Sequence, residues 1–287
     1  MPELPEVETV KRGLEPVLKG RTIVKVETRR ANLRWAFPEG FASILEGRQV
    51  AGLSRRAKYI LAGLDNGISL LIHLGMTGRF TVLTPKGPQN LGEFYFETGA
   101  GEQADGPHDH VVISLENGVK LVYSDPRRFG MMDLVPADGA HKLLDDLGVE
   151  PLGNALSADY LATRFKSKAA PMKAALLDQS IIAGLGNIYV CEALWRARIS
   201  PRRKAGKVKH AELEELVRHI RDILNEAILA GGSTLRDFQG ADGEKGSYQQ
   251  RFQVYDHEGY PCPRGDGVIT RIVQSGRSTF YCPKCQK

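Results

Sequence analysis

The feature that most constrains this fold is a change in hydrophobic pattern halfway along the chain. Between Arg21 and Val135 the apolar residues form short runs, several of which alternate with polar residues as in β-strands. Asp65-Asn66-Gly67 and Glu116-Asn117-Gly118 separate pairs of runs and are typical of tight hairpins. The runs predict strands at 23–26, 59–64, 68–74, 94–96, 111–115 and 119–123. This part of the chain is therefore predicted to be a β-sandwich.

Helical periodicity flanks these strands. Apolar residues recur at helical spacing from Val7 to Leu18, which predicts a helix packed on the sandwich. After a linker with one short helix at 136–156, the pattern is helical again from Asp159, a plausible N-cap. Helices are predicted at 172–177, 193–198 and 211–229, and the last carries an apolar stripe of Leu213, Leu216, Val217, Ile220, Leu224 and Ile228. The chain is predicted to be a multidomain α+β protein.

Three of the four cysteines fall in the last 26 residues, which indicates a metal site. Cys282 and Cys285 have the spacing of one ligand pair of a zinc ribbon, and Cys262 begins the other pair. Gly265 stands where the fourth thiol is expected. The fourth ligand is left open between Asp266, the more distant His257 and a water molecule, and a site without zinc is the alternative.

The N-terminal Met1-Pro2-Glu3 stretch can supply a reactive amine, although by itself it favours an ordinary helix start. Removal of Met1, which we expect because the second residue is small, leaves proline as a secondary amine with a pKa near about 8. Such an amine can attack a sugar aldehyde carbon and form an iminium. Glu3 and Glu6 supply neighbouring carboxylates for general acid or base catalysis. The non-catalytic alternative is an ordinary helix start with Pro and Glu in its first turn.

Cations beside aromatic or glycine-rich turns indicate contact with nucleic acid. In the 125–130 loop, Arg127 and Phe129 are suited to filling the gap left by an extruded base, as is Met76. The Gly184–Tyr189 turn offers backbone N–H groups to an anion, and the hairpin that presents Arg277 suits phosphate contact. Surface salt bridges, core packing and solvated loops are the alternatives for these residues.

The net charge of +5 agrees with a polyanionic partner but is weak support by itself. The sequence has no apolar run of about 18 residues, so no membrane span is expected. The acidic, proline-containing N-terminus is unlike a secretory signal, so a cytoplasmic location is expected.

Six separated motifs, in order along essentially the whole chain, resemble bacterial formamidopyrimidine-DNA glycosylases. They are Pro2 to Thr9, Lys58-Tyr59-Ile60, His73 to Met76, Asp125 to Gly130, Gly186 to Tyr189 and Gly276 to Cys282. The resemblance implies an N-terminal β-sandwich with a helix, a helix–two-turn–helix module and a C-terminal β-hairpin zinc finger with one structural Zn²⁺. It also implies a monomeric glycosidase and AP lyase that excises 8-oxoguanine and formamidopyrimidines from double-stranded DNA, by β,δ-elimination.

The resemblance also implies roles for individual residues. Pro2 is the Schiff-base nucleophile, Glu3 moves protons at the sugar, Lys58 assists β-elimination and Arg277 holds phosphate and supports δ-elimination. Further roles are implied for DNA contacts at His108, Arg127, Lys168, Lys173 and Asn187, and for a wedge of Met76, Arg127 and Phe129.

The expected domains are a catalytic domain (1–135), the linker (136–156), the helical DNA-binding domain (157–235), a lesion-recognition loop (236–250) and the zinc-finger hairpin (251–287). An endonuclease VIII-like enzyme for oxidised pyrimidines and a non-catalytic zinc-ribbon nucleic-acid-binding protein are the alternative functions. The second alternative does not explain the combination of Pro2, Glu3 and Lys58.

Overall fold

The computed structural model describes residues 2–85, 106–233 and 247–287. The chain forms two compact units, Met1–Asp145 with Gly231–Ser247, and Asp146–Ala230 with Tyr248–Lys287. The predicted strand at 94–96 and most of the predicted lesion-recognition loop, 236–246, lie outside the described residues.

The first unit is a sandwich of two antiparallel four-stranded sheets. One sheet has the order β1-β6-β7-β5 and the other β2-β3-β4-β8. The strands are β1 (Ile23–Thr28), β2 (Val50–Arg56), β3 (Tyr59–Leu64), β4 (Ser69–His73), β5 (Arg79–Leu83), β6 (Asp109–Leu115), β7 (Lys120–Ser124) and β8 (Met131–Val135). Helix α1 (Leu4–Leu18) and a short helix α2 (Phe41–Leu45) complete this unit.

One hydrophobic core joins both sheets and α1. Val7 and Leu14 of the helix, Ile113 of the first sheet and Ile60 of the second are all buried in this cluster. Gly67 and Gly118 have φ values of 84° and 80°, in the left-handed region that the two predicted hairpin turns require. The predicted sandwich with a helix packed on it is confirmed.

The second unit is mostly helical and ends in a two-stranded hairpin. Its helices are α3 (Ala158–Phe165), α4 (Met172–Leu177), α5 (Asn187–Arg196) and α6 (His210–Leu229), and the hairpin strands are β9 (Thr270–Gln274) and β10 (Arg277–Tyr281). The stripe predicted on α6 is buried. Helix α5 packs against α4, α6 and β10, so it connects the helical part to the hairpin.

Three local predictions about these elements are wrong. Helix α3 is capped by Ser157, whose hydroxyl accepts from the Tyr160 N–H at 3.1 Å, and Asp159 lies in the first turn instead. Residues 142–146 form turns rather than the predicted short helix. Helix α5 begins at Asn187 instead of residue 193, because it is buried on nearly every face and so lacks an amphipathic pattern.

Candidate active site and nucleic-acid interface

The N-terminal segment is held in the first unit by a buried carboxylate. Pro2 is buried directly ahead of α1, and Glu3 is the N-cap of that helix. Glu6 Oε2 accepts from the Glu3 N–H at 2.9 Å, while Oε1 accepts from the Ser233 N–H at 2.7 Å and its hydroxyl at 2.9 Å. Gly232 passes so close that a Cβ there would lie 3.0 Å from Glu6 Oε1. Glu6 therefore positions the segment that carries Pro2 and Glu3.

Lys58 lies in the two-residue turn between β2 and β3, where Ala57 has a φ of 51°. Its side chain is largely buried. Burial, together with the charges of Lys58 and Arg34, lowers the pKa of His73 to about 4, so this imidazole is neutral at physiological pH. The sequence indicated His73 only as part of a motif; its electrostatic link to Lys58 and Arg34 arises from the fold.

The three predicted wedge residues line one pocket of about 500 Å³ in the first unit. Met76 follows β4, and Arg127 and Phe129 belong to the loop between β7 and β8. The Arg127 guanidinium lies 4.8 Å from the Phe129 ring centre, and that ring is 44% exposed. His73 and Arg34 also line this pocket. Exposed aromatic surface paired with a cation is suited to stacking on a base.

The fully buried Asp125 organises this wedge loop. One of its carboxylate oxygens accepts from the Thr77 hydroxyl, and the other accepts from the Gly130 N–H at 2.8 Å. Gly75 packs so closely against the same loop that a Cβ there would lie 2.3 Å from Gly130 N. The sequence placed Asp125 in a motif but did not reveal this role, which depends on contact with the turn after β4.

Arg277 lies at the start of β10 in the second unit, next to a tight turn. Ser275 and Gly276 have φ values of 50° and 72°, so both turn residues are left-handed, as in type I′ hairpins. The Arg277 side chain is exposed. This geometry presents a guanidinium at the tip of a two-stranded hairpin, where it is available to a phosphate.

Two of the residues predicted to contact phosphate donate hydrogen bonds to strand β10 of that hairpin. Lys173 is only 1% exposed, and its ammonium donates to the Ser278 carbonyl at 2.8 Å and the Thr279 hydroxyl at 2.6 Å. Asn187 Nδ2 donates to the same Ser278 carbonyl at 2.9 Å. In this structure the Lys173 ammonium donates within the second unit, and the phosphate contact expected of Lys173 stays a prediction. Asn187 keeps a buried Oδ1 that has no hydrogen-bond partner among the described residues.

The remaining predicted DNA contacts lie in different units. His108 is exposed in the first unit, where its carbonyl accepts from the Asp125 N–H at 3.0 Å. Lys168 is half-buried in the second unit, with its ammonium 3.6 Å from Asp178 Oδ2. This pair is partly solvated and so costs little to separate.

Cys262, Cys282 and Cys285 form a buried cluster in the second unit, and their sulfur atoms lie within 4.8 Å of one another. Cys191 has a buried side chain in the same hydrophobic cluster. Among the described residues, Asp266 and His257 are not part of the group of candidate ligands. Asp266 is exposed instead.

Family models match three stretches of the chain. Residues 1–132 match the formamidopyrimidine-DNA glycosylase N-terminal domain, 147–239 its H2TH domain, and 259–287 the zinc finger found in FPG and IleRS. The sandwich with its N-terminal amine segment, the helix–two-turn–helix module and the cysteine hairpin together define a bifunctional DNA glycosylase and AP lyase of base excision repair.

Full-length relatives agree. The chain is 54% identical to the formamidopyrimidine-DNA glycosylase of Ruegeria pomeroyi and 56% identical to one from Cereibacter sphaeroides, with 100% of each sequence covered. The crystal structure of MutM (Fpg) from Thermus thermophilus is 39% identical, with a TM-score of 0.84 over 99% of this chain and 98% of that one. The Lactococcus lactis Fpg (MutM) in complex with N7-benzyl-Fapy-dG DNA is 32% identical, with a TM-score of 0.84 and full coverage of both chains. The chain belongs to the formamidopyrimidine-DNA glycosylase family.

Family membership confirms the predicted fold class and the predicted enzyme class, and it argues against a non-catalytic binding protein. The assignments of individual site residues and the predicted domain limits stay predictions. No helix within the described ranges is both long enough and apolar enough to span a membrane.

Proposed function

We propose that this enzyme excises oxidised purines, such as 8-oxoguanine and formamidopyrimidines, from double-stranded DNA and then cleaves the abasic strand. Related structures contain DNA with Fapy-dG, with carbocyclic 8-oxo-G and with the abasic analogue THF. The observation that carries the proposal is the position of Pro2, immediately ahead of α1 and beside a segment fixed by the buried carboxylate of Glu6. Such a protein works on the bacterial nucleoid in the cytoplasm, and a single chain carries every residue that the mechanism uses.

The first step is displacement of the damaged base. With Met1 removed, the unprotonated Pro2 nitrogen attacks C1′ of the deoxyribose. The N–C1′ bond forms, the glycosidic bond breaks with its electron pair leaving on the base, and the proton lost from the nitrogen neutralises that base. Loss of the C1′–O4′ bond then yields the iminium, and Glu3 supplies the proton that O4′ takes up. A carboxyl group held by its own helix terminus is suited to this proton transfer.

Strand cleavage follows from the iminium. Removal of a C2′ proton expels the 3′ phosphate by β-elimination, and a second elimination expels the 5′ phosphate. Lys58, largely buried at the β2–β3 turn, is assigned to the β-elimination through contact with a phosphate or the base. Arg277, exposed at the hairpin tip, is assigned to holding the phosphate whose departure completes the δ-elimination.

DNA binding and base extrusion use the remaining residues. His108, Arg127, Lys168 and Asn187 are assigned to the DNA backbone. Met76, Arg127 and Phe129 are assigned to filling the gap in the stack, because they share one pocket and the Phe129 ring is partly exposed. Extrusion of a base costs a few kcal/mol of stacking, and side chains that replace it in the stack offset that cost. The 236–250 loop is assigned to closing over the extruded base.

We also assign one structural Zn²⁺ per chain to Cys262, Cys282 and Cys285. Cys262 Sγ and Cys285 Sγ are 3.9 Å apart, and two thiolates at about 2.3 Å from a tetrahedral zinc lie about 3.8 Å apart. The three residues therefore fit three corners of a zinc site. Zinc bound there stabilises the folded finger and takes no part in the bond-breaking steps.

Borohydride trapping tests the excision chemistry. Methionine-free protein is mixed with duplexes that carry 8-oxoguanine or an oxidised pyrimidine, and the covalent adduct is measured after reduction. We expect an adduct with the 8-oxoguanine duplex, and no adduct from a variant with one extra, N-acetylated residue ahead of Pro2, because its proline nitrogen is an amide and its terminus has no free amine. Pro2→Gly is not a useful control, since glycine also provides an amine.

Two results would contradict the proposal. An adduct that persists with an extended N-terminus whose new α-amine is acetylated would exclude Pro2 as the nucleophile. A strong preference for the oxidised pyrimidine would instead indicate an endonuclease VIII-like specificity.

A further inference from the structure

The cysteine cluster offers three thiol ligands, whereas a tetrahedral zinc ion takes four. Gly265 follows Cys262 at the position of the missing thiol, and its φ of +76° is left-handed. A Cβ built on Gly265 would meet nothing within 4 Å. The Asp266 carboxylate and the His257 imidazole lie outside the cluster of candidate ligands in the described part of the chain. Among the described His, Cys, Asp and Glu side chains, none therefore supplies a fourth ligand to this cluster.

A cation is fixed beside the three sulfurs. Arg264 Nη1 donates to the Trp195 carbonyl at 2.6 Å and lies 3.9 Å from Cys285 Sγ, and Nη2 donates to the Arg196 carbonyl at 3.0 Å. The guanidinium also stacks 4.1 Å from the Trp195 ring. These carbonyls lie at the C-terminus of α5, where the helix dipole favours a positive charge. Arg264 is thus held in one position by the helix that packs against the hairpin.

The same tryptophan contacts the cluster on another side. Trp195 Nε1 lies 3.5 Å from Cys262 Sγ and donates to it. Arg264 and Trp195 therefore supply donors to two of the three sulfurs. Donors of this kind stabilise thiolates and fix the orientation of metal ligands.

Charge explains why a cation suits this cluster. Three thiolates and one Zn²⁺ carry a net charge of 2 − 3 = −1, and the Arg264 guanidinium brings the total to zero. A three-thiolate set with one guanidinium is electrically balanced without a fourth protein ligand.

We propose that this finger binds zinc through three thiolates and one exchangeable ligand from solvent, with Arg264 as the residue that positions and neutralises the set. The inference rests on the zinc site proposed above and is independent of the excision chemistry. It distinguishes this finger from a closed four-ligand structural site, in which no small molecule reaches the metal.

Cobalt(II) substitution of the full-length protein tests the open corner. The absorption spectrum of Co²⁺ depends on the number of thiolate ligands, so a small thiol such as 2-mercaptoethanol should change the spectrum of the wild-type protein by adding a fourth sulfur. Gly265→Cys already supplies that sulfur. We expect its spectrum to resemble the thiol-treated wild type and not to change further on addition of thiol.

Zinc release to a chromophoric chelator provides the second measurement. We expect G265C to release zinc at least tenfold more slowly than wild type, and D266A to release it at the wild-type rate. R264Q should release zinc severalfold faster, R264K should be intermediate, and R202Q, which changes an exposed arginine of the same unit, should match wild type.

Four results would overturn the inference. A wild-type cobalt spectrum that does not respond to thiol would show that the fourth corner is closed. Accelerated release from D266A would identify that carboxylate as the fourth ligand, and equal release from R264Q and R202Q would remove the role of Arg264. Purified protein without bound zinc, but with normal borohydride trapping, would end both zinc proposals and leave the excision mechanism intact. Should G265C fail to fold, the response of the wild-type protein to thiol still decides the question.

Discussion

Replacement of Asp125 by alanine should loosen the wedge loop at a measurable cost. The carboxylate accepts from the Thr77 hydroxyl and from the Gly130 N–H, and it is completely buried. Removing it leaves the buried Gly130 N–H without an acceptor, at about 1–3 kcal/mol, and takes the acceptor from the half-buried Thr77 hydroxyl, at a smaller cost. We therefore expect D125A to lower the free energy of unfolding of the first unit by about 2–5 kcal/mol. D125N keeps one oxygen for Gly130 and should cost about 1–2 kcal/mol.

The two tryptophans make this effect measurable in one unit at a time. Trp35 lies in the first unit and Trp195 in the second, and the chain has no other tryptophan. In a W195F background, Trp35 fluorescence during urea unfolding reports on the first unit. Asp138→Ala is a suitable control, because Asp138 is exposed and its loss should change stability by no more than about 0.5 kcal/mol.

DNA binding separates loop order from general stability. The binding assay is run without urea, at a temperature where the first unit is folded. Under these conditions D125A should lose its preference for a duplex with an abasic analogue over an undamaged duplex, since its wedge residues are less well positioned. The reasoning is refuted if D125A unfolds at the same urea concentration as D138A and keeps full preference for the abasic duplex.

Three further outcomes are expected. Gly75→Ala should destabilise the first unit by more than about 2 kcal/mol beyond Gly47→Ala in the same fluorescence assay, because both residues have positive φ but only Gly75 would place a Cβ 2.3 Å from Gly130 N. The folded-state pKa of His73 is about 4 and lies below the ordinary value of about 6.5, so its contribution is complete above pH 6.5 and is lost as pH falls towards 4. Urea unfolding from pH 7 to 4 should show a loss of about 2–3 kcal/mol that is reduced in H73N, and equal slopes would contradict the low pKa. Lys173→Met should raise hydrogen exchange along β10 and slow strand cleavage, while borohydride trapping stays normal. Weaker DNA binding with unchanged hydrogen exchange would instead support a phosphate contact by Lys173.

Local sequence patterns determined much of the fold. The stripe of α6 and the two Asn-Gly turns were predictable because a helix period or a positive φ is a property of neighbouring residues. Strand β2 was not predicted, because Gly52 and the polar residues at its end interrupt any alternating pattern. It forms because β3 pairs with it along nearly its whole length.

The chemistry of the site divides in the same way. The reactivity of a terminal proline amine and the thiol spacing of Cys282 and Cys285 are intrinsic to the residues, so the sequence alone indicated a possible nucleophile and one ligand pair, and the resemblance to a family supplied the reaction class. The partners of the buried charged side chains that support the site were decided only by the tertiary structure. Lys173 meets Thr279 across 106 residues and Glu6 meets Ser233 across 227, and no local pattern records such a partner. A buried charge is stabilised only when a partner group lies beside it, and the tertiary fold brings that partner there.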